Sequence, residues 1–274
     1  MSILDDIVAY KKEEIKQDKK QYPLQFFMDL VSGEIPPTRD FFARLADSAY
    51  LALITELKFA SPSRGVINQR ENLGKIIKSY NQSGAAAISV LTDDHFFQGE
   101  LDDIQKVKKI SKLPILRKDF IIDEYQIYQS RCLGADAILL IASLLDISQL
   151  AYFQEIANSL TMDCLIEVHN KKELEQALAI EVKMIGINNR NLDDFSVDLS
   201  NTIKLSQFIP QDCLLVSESG IRSRQDIEKL NKYEIDAVLI GEALMTDSDP
   251  RDILKDLTNI LKRKKKRRKP INAG

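Results

Sequence analysis

The chain has 274 residues, 44 % hydrophobic and 29 % charged, with 38 Lys plus Arg against 41 Asp plus Glu. That is the make-up of a soluble globular chain, long enough to bury a core without disulfide or metal staples. It holds no stretch near the roughly 18–20 continuous apolar residues of a membrane span, and Met1-Ser-Ile-Leu-Asp-Asp lacks the character of a signal peptide.

Residues 3–16 place Ile3, Leu4, Ile7, Val8 and Ile15 at helical spacing. A second amphipathic segment, 24–31, is stopped near Gly33 and Pro36-Pro37. Residues 1–48 therefore read as a helical extension. From residue 51 short aliphatic runs alternate with longer amphipathic stretches. The runs are 51–59, 85–92, 114–120, 137–143, 164–168, 184–188, 214–219 and 237–240. Helix-like segments lie between them at 70–83, 100–111, 123–133, 146–160, 171–179, 198–207 and 222–232. The runs are nearly continuous in apolar character, as strands buried on both faces are. Eight βα units in an α/β chain predict a (β/α)8 TIM barrel over 49–261; a doubly wound sheet is the rival and needs fewer strands. After Leu261 come eight cations, Lys262 to Lys269, and no acidic residue. Without these eight, the chain carries 30 basic against 41 acidic groups, a net of −11. Residues 262–274 have no apolar face and are expected to be a solvated, disordered tail.

In such a barrel, functional groups belong at the C-terminal ends of strands and in the loops after them. Glu56, Lys58 and Ser61 end the first run and Lys118 the third. Glu167 ends the fifth, Asn188 and Arg190 the sixth, Glu218, Ser219 and Gly220 the seventh, and Gly241 and Glu242 the eighth. Period-2 alternation puts Glu56 and Lys58 on the face of Ala52 and Ile54. A charge on an otherwise apolar strand is costly unless paired or functional. Ion pairs capping the barrel mouth would explain one such residue, but several converging from different strands point to chemistry. Lys58 and Lys118 can bind an anion, or donate a proton if desolvation and mutual repulsion lower a pKa. The glutamates are candidates for a general base or for orienting a lysine, and Asn188 can hold hydroxyls. Ser219-Gly220 and Gly241-Glu242 occupy the loops where barrels bind phosphate through backbone N–H groups. His95 and His169 lack partners at metal-ligand spacing. Cys132, Cys164 and Cys213 form no CxxC pair and read as small core residues in a reducing compartment. What remains is acid–base chemistry on a phosphorylated small molecule, with no metal.

Several strings carry a family likeness: Glu-Leu-Lys-Phe-Ala-Ser-Pro-Ser (56–63), Ser-Val-Leu-Thr-Asp (89–93), Phe-Phe-Gln-Gly (96–99) and Leu-Arg-Lys-Asp-Phe-Ile-Ile-Asp (116–123). Leu-Ile-Glu-Val-His (165–169), Ile-Gly-Ile-Asn-Asn-Arg-Asn-Leu (185–192) and Ser-Glu-Ser-Gly-Ile (217–221) continue it, and residues 3–14 are similar to an extra N-terminal helix. In this order, from about residue 3 to 261, the chain resembles indole-3-glycerol phosphate synthase.

The resemblance implies a cofactor-free carboxy-lyase of tryptophan biosynthesis. It would convert 1-(2-carboxyphenylamino)-1-deoxyribulose 5-phosphate to indole-3-glycerol phosphate, CO₂ and water. By the same likeness Lys118 is the general acid of ring closure and Glu167 the acid–base partner in dehydration. Lys58, oriented by Glu56, pairs with the substrate carboxylate or assists proton transfer. Asn188 and Glu218 hold the ribulose hydroxyls, with Arg190 nearby. Ser61, Ser219, Gly220, Gly241 and Glu242 make the phosphate region, while Phe97, Phe120, Leu139 and Ile141 wall the aromatic ring. Two features depart from the pattern. Many relatives have Ser or Thr where this chain has Glu242, whose carboxylate is expected to point away from the phosphate, and the basic tail has no role in the family.

The expected partner is a small phosphorylated anion, met by a cytoplasmic monomer, with neither membrane nor nucleic acid involved. The enzyme rival is phosphoribosylanthranilate isomerase, whose acid–base pair of Cys and Asp would need Cys132 or Cys213 elsewhere. A nucleic-acid or membrane-surface binder acting through 262–269 is the non-enzyme rival. The acidic body opposes it beyond a Debye length of about 8–10 Å, and no aromatic interrupts the tail for base stacking.

Overall fold

Eight aliphatic runs form parallel strands that close on one another: β1 (Ala52–Leu57), β2 (Ala87–Leu91), β3 (Ile115–Lys118), β4 (Ala137–Ile141), β5 (Asp163–Val168), β6 (Met184–Asn188), β7 (Leu214–Glu218) and β8 (Ala237–Ile240). Each pairs with the next in sequence, and β8 returns to β1, Ala52 facing Ala237 and Thr55 facing Ile240. The computed structural model describes residues 3–191, 195–246 and 250–263. The predicted (β/α)8 barrel is the observed one.

Alternation sorts each strand into two faces. Outward residues such as Leu53, Ile88, Ile138, Ile166, Ile185 and Val238 pack under the surrounding helices. Inward residues such as Ile54, Leu116, Leu139, Leu165, Val216 and Leu239 fill the barrel. Side-chain caps start the outer helices where the strands' loops end: Asp123 at α7 (Glu124–Leu133), Asp146 at α8 (Ile147–Ser159) and Ser223 at α11 (Arg224–Asn231) each make a capping box.

Before the barrel come α1 (Ile3–Gln21), α2 (Leu24–Ser32) and α3 (Phe41–Ala46). α1 continues five residues past the predicted end at 16. Gln17 to Gln21 offer no apolar periodicity, but they include good helix formers, and Lys19 pairs with Asp123 at 2.7 Å. α2 lays Phe27 edge-on against Tyr125 of α7, centroids 5.3 Å apart. α3, too short to show a period, buries Phe41 and Leu45 completely against Ala52, Ala86, Ala137 and Leu214, plugging the N-terminal end of the barrel. Of the basic run, Lys262 and Arg263 fall among the described residues. Lys262 donates from its backbone to Ala49 and from Nζ to the Leu45 carbonyl, and Arg263 donates from its backbone to Asn231. The tail expected at 262–274 is thus tied to the barrel in its first two residues; 264–274 lie outside the described residues.

Candidate active site

Glu56, Lys118, Glu167, Asn188 and Glu218 are the last inward residues of β1, β3, β5, β6 and β7, and Lys58 continues the inward face of β1. Parallel register sets them at one level: Glu167 lies beside Ile141, and Asn188 beside Glu218. All of them but Glu218 line an open-mouthed cleft at the C-terminal face, about 990 Å³ with its solvent-open mouth included.

Lys118 is the centre of the arrangement. Its Nζ donates to Glu167 Oε2 at 2.6 Å and stands 3.2 Å from Glu218 Oε2. The other oxygen of Glu167 accepts from Asn188 Nδ2 at 3.2 Å and lies 3.3 Å from His169 Nε2. His169 Nδ1 stands 3.0 Å from Glu173 Oε2, so the ring is held between two carboxylates. Lys58 Nζ rests 3.0 Å from Glu56 Oε1.

One possibility open for the lysines was a pKa lowered by desolvation and mutual repulsion. Instead, burial, which alone would discharge Lys118, is outweighed by Glu167, Glu218 and Glu56, and the ammonium is held above the ordinary lysine range. Its neighbours are carboxylates, which leaves Lys118 a charged proton donor. Burial would also raise Glu167, but Lys118 and His169 hold it ionised, below the usual carboxylate range. Glu218 goes the other way. Burial, reinforced by Glu167 and Glu56, overcomes the pull of Lys118 and pushes it up to about 7. His169, despite burial, is raised to about 10 by Glu167 and Glu173. The site therefore holds a fixed ammonium, a fixed carboxylate and a carboxyl that titrates near neutrality.

Two glycines make room for these acids. A Cβ on Gly186 would lie 2.0 Å from Glu218 Oε1, and one on Gly241 would lie 2.3 Å from Glu56 Oε1. Phe97 and Phe120, with ring centroids 6.1 Å apart, line the cleft together with Leu139 and Ile141. The far end is formed by Ser219, Gly220, Gly241 and Glu242. Ser219 and Gly220 both have left-handed backbone (φ 65° and 81°), and a Cβ on Gly220 would meet Val197 at 2.2 Å. Glu242 lines the cleft, and its carboxylate is engaged by arginines. Arg64 (2.8 Å), Arg190 (3.2 Å) and Arg222 (3.5 Å) surround it and remove the repulsion that the expectation rested on.

All but two of the sequence-predicted site residues line this cleft. Glu218 is buried beneath the lining and meets the cleft through Lys118, and Ser61 is buried with its Oγ 3.5 Å from Ser63 Oγ. Sequence reasoning gave no role to Lys11, Asp93, Arg117, Asp119, His169, Arg64 or Arg222. For Arg117 and Asp119 a signal existed, because two charges flanking Lys118 on the outward face of a buried strand must be paired. They are, 3.1 Å apart, with Arg117 also donating to Thr92, Gln129 and Ser130. Among the described residues, none of the three cysteines lines the cleft and no His, Cys, Asp or Glu group is placed to hold a metal.

The sequence profile of indole-3-glycerol phosphate synthase matches residues 4–257. The chain belongs to the indole-3-glycerol phosphate synthase family. A Legionella pneumophila (strain Lens) protein of that name is 48 % identical over 244 residues, covering 89 % of this chain and 93 % of that one. One from Acetivibrio thermocellus is equally similar, covering 89 % and 94 %, and one from Alkaliphilus metalliredigens is 45 % identical over 255 residues, covering 93 % and 97 %. Solved structures share the fold at low identity. KGPDC from Streptococcus mutans superimposes with a TM-score of 0.60 at 10 % identity over 76 % of this chain and 95 % of its own. A structure of the Pyrococcus furiosus tryptophan synthase complex gives 0.56 at 14 %, over 75 % and 97 %. Membership of the indole-3-glycerol phosphate synthase family displaces both the isomerase rival and the doubly wound sheet.

Proposed function

We propose that this chain is an indole-3-glycerol phosphate synthase, closing, decarboxylating and dehydrating 1-(2-carboxyphenylamino)-1-deoxyribulose 5-phosphate. The observation that carries the reading is a buried, charged lysine between two carboxylates, in a cleft with an aromatic slot on one side and an arginine-rich end on the other. Such a cleft suits a substrate that is an aromatic amine at one end and a phosphate at the other.

In this reading the anilino ring lies against Phe97 and Phe120, and its carboxylate meets Lys58. The phosphate takes the end made by Gly220, Gly241 and the three arginines. The carboxylate-bearing ring carbon attacks the ketone carbon. Lys118 donates its proton to the ketone oxygen, so the alkoxide that develops is neutralised as it forms. The nitrogen becomes iminium-like, and the ionised Glu167 stabilises that cation. The ring carbon then expels CO₂, and the electron pair of the broken bond restores aromaticity. A carboxylate taken from bulk water into the slot is readied for this loss. Dehydration follows once Lys118 has regained a proton from solvent: the hydroxyl leaves with that proton, and Glu167 accepts the proton of the neighbouring carbon and returns it to Lys118, 2.6 Å away. Asn188 orients Glu167 and can hold a ribulose hydroxyl. Every step is heterolytic and calls for no redox partner.

The enzyme in this reading acts on its small phosphorylated substrate in the cytoplasm, supported by three cysteines that form no disulfide. Among the described residues no helix is long and apolar enough to cross a membrane. Incubation with the anilino-ribulose phosphate should produce indole fluorescence and release one CO₂ per product; absence of both would overturn the reading.

A further inference from the structure

Ile7, Lys11 and Ile15 form the buried stripe of α1, and Lys11, in its middle, is fully buried. A buried ammonium is costly unless several acceptors meet it. Here Nζ lies 2.8 Å from Glu14 Oε2, 3.1 Å from Asp93 Oδ2 and 3.1 Å from Asp119 Oδ1. Burial alone would discharge it, and Asp119, Asp93 and Glu14 hold it charged.

The two aspartates belong to different loops of the barrel mouth. Asp93 follows β2 and caps α5 (Asp94–Phe97) by accepting from the Phe96 amide at 2.8 Å. Asp119 follows β3, accepts from the Phe120 amide at 2.8 Å, and is fixed from its other oxygen by Arg117 and Thr92. Each aspartate therefore holds the backbone of a loop whose aromatic ring, Phe97 or Phe120, lines the cleft. Beside Lys11, Tyr10 stacks on His95 of α5, centroids 4.2 Å apart, giving the helix a second grip on the same loop.

We propose that Lys11 is a positioning residue: from a helix outside the barrel it clamps the β2 and β3 loops together and so sets the width of the Phe97–Phe120 slot for the aromatic end of the substrate. This rests on the orientation of substrate proposed above. Without the ammonium, Asp119 keeps Arg117, but Asp93 is left buried beside a second carboxylate with its Lys11 contact gone, and the two loops lose the cation they share.

The test uses the full chain with Lys11→Met and, as a milder cut, Asp93→Asn, which leaves Lys11 paired with Asp119 and Glu14. Calorimetry measures binding of anthranilate and, separately, of inorganic phosphate, and steady-state assays give kcat and KM. Both variants should bind anthranilate at least about tenfold more weakly and bind phosphate within about twofold of wild type. KM should rise by a similar factor and kcat change little. Unchanged anthranilate affinity, or equal weakening of both ligands, overturns the clamp. If Lys11→Met does not fold, Asp93→Asn decides by the same criteria. Wild-type protein that binds anthranilate but makes no indole would sink the proposed reaction and leave the clamp testable by binding alone.

Discussion

Lys118 stays charged in a buried position because Glu167, Glu218 and Glu56 surround it, and its proton is the one the proposed ring closure consumes. Lys118→Ala should leave a cooperative thermal transition and lower kcat by on the order of a thousandfold; near wild-type turnover would remove Lys118 from the mechanism. His169 makes a pH prediction. Its folded-state pKa is raised from 6.5 to about 10, so its stabilisation is complete below pH 6.5 and is lost as pH rises towards 10. Wild-type unfolding free energy should fall across that window. His169→Asn should give a flatter curve starting on the order of 2–4 kcal/mol lower at pH 6, and parallel curves would show that the Glu167–His169–Glu173 pairing contributes nothing. At this scale the sequence is a partial guide. Glu56, Lys118, Glu167 and Asn188 are legible because strand period and strand end together predict where they point. His169 and Lys11 are not, because their partners are set by loop and helix packing, for Lys11 across more than 80 positions of chain.

Among the elements, the strands were readable as continuous apolar runs because both their faces are buried. The runs overshot where a strand end turns polar: the first was read to Phe59, whereas β1 stops at Leu57. α3, α5 and α12 (Glu242–Met245) have four to six residues, too few to show a period, yet they plug the barrel floor, carry Phe97 and carry Glu242. The β6 glycine is an element-scale device, since β6 must lack a side chain where β7 presents Glu218. Gly186→Ala should displace Glu218 from Lys118, lower kcat by about tenfold and cost roughly 1–3 kcal/mol in denaturant unfolding. Unaltered kcat would mean that Glu218 does not act through Lys118.

For the whole molecule, the order of eight βα units fixed the architecture before any residue was assigned a task. Net charge was uninformative until divided along the chain. Cleft-lining residues fall between Glu56 and Ala243, all before the basic run in the sequence. Removing 264–274 should leave kcat/KM within about twofold, whereas removing 262–274 also deletes the Lys262 bonds to Leu45, Ala46 and Ala49 and should lower Tm by a few degrees. A large kinetic loss from the shorter deletion would assign the tail to the site.

The cluster around Glu242 has an electrostatic consequence. Three guanidiniums and one carboxylate leave a surplus of two positive charges at that end of the cleft, the complement of a phosphate dianion. With Ser or Thr at the position, the same arginines would present three. In the proposed reading, Glu242 trims the attraction for a phosphate group that substrate and product share, and so loosens the hold on both alike.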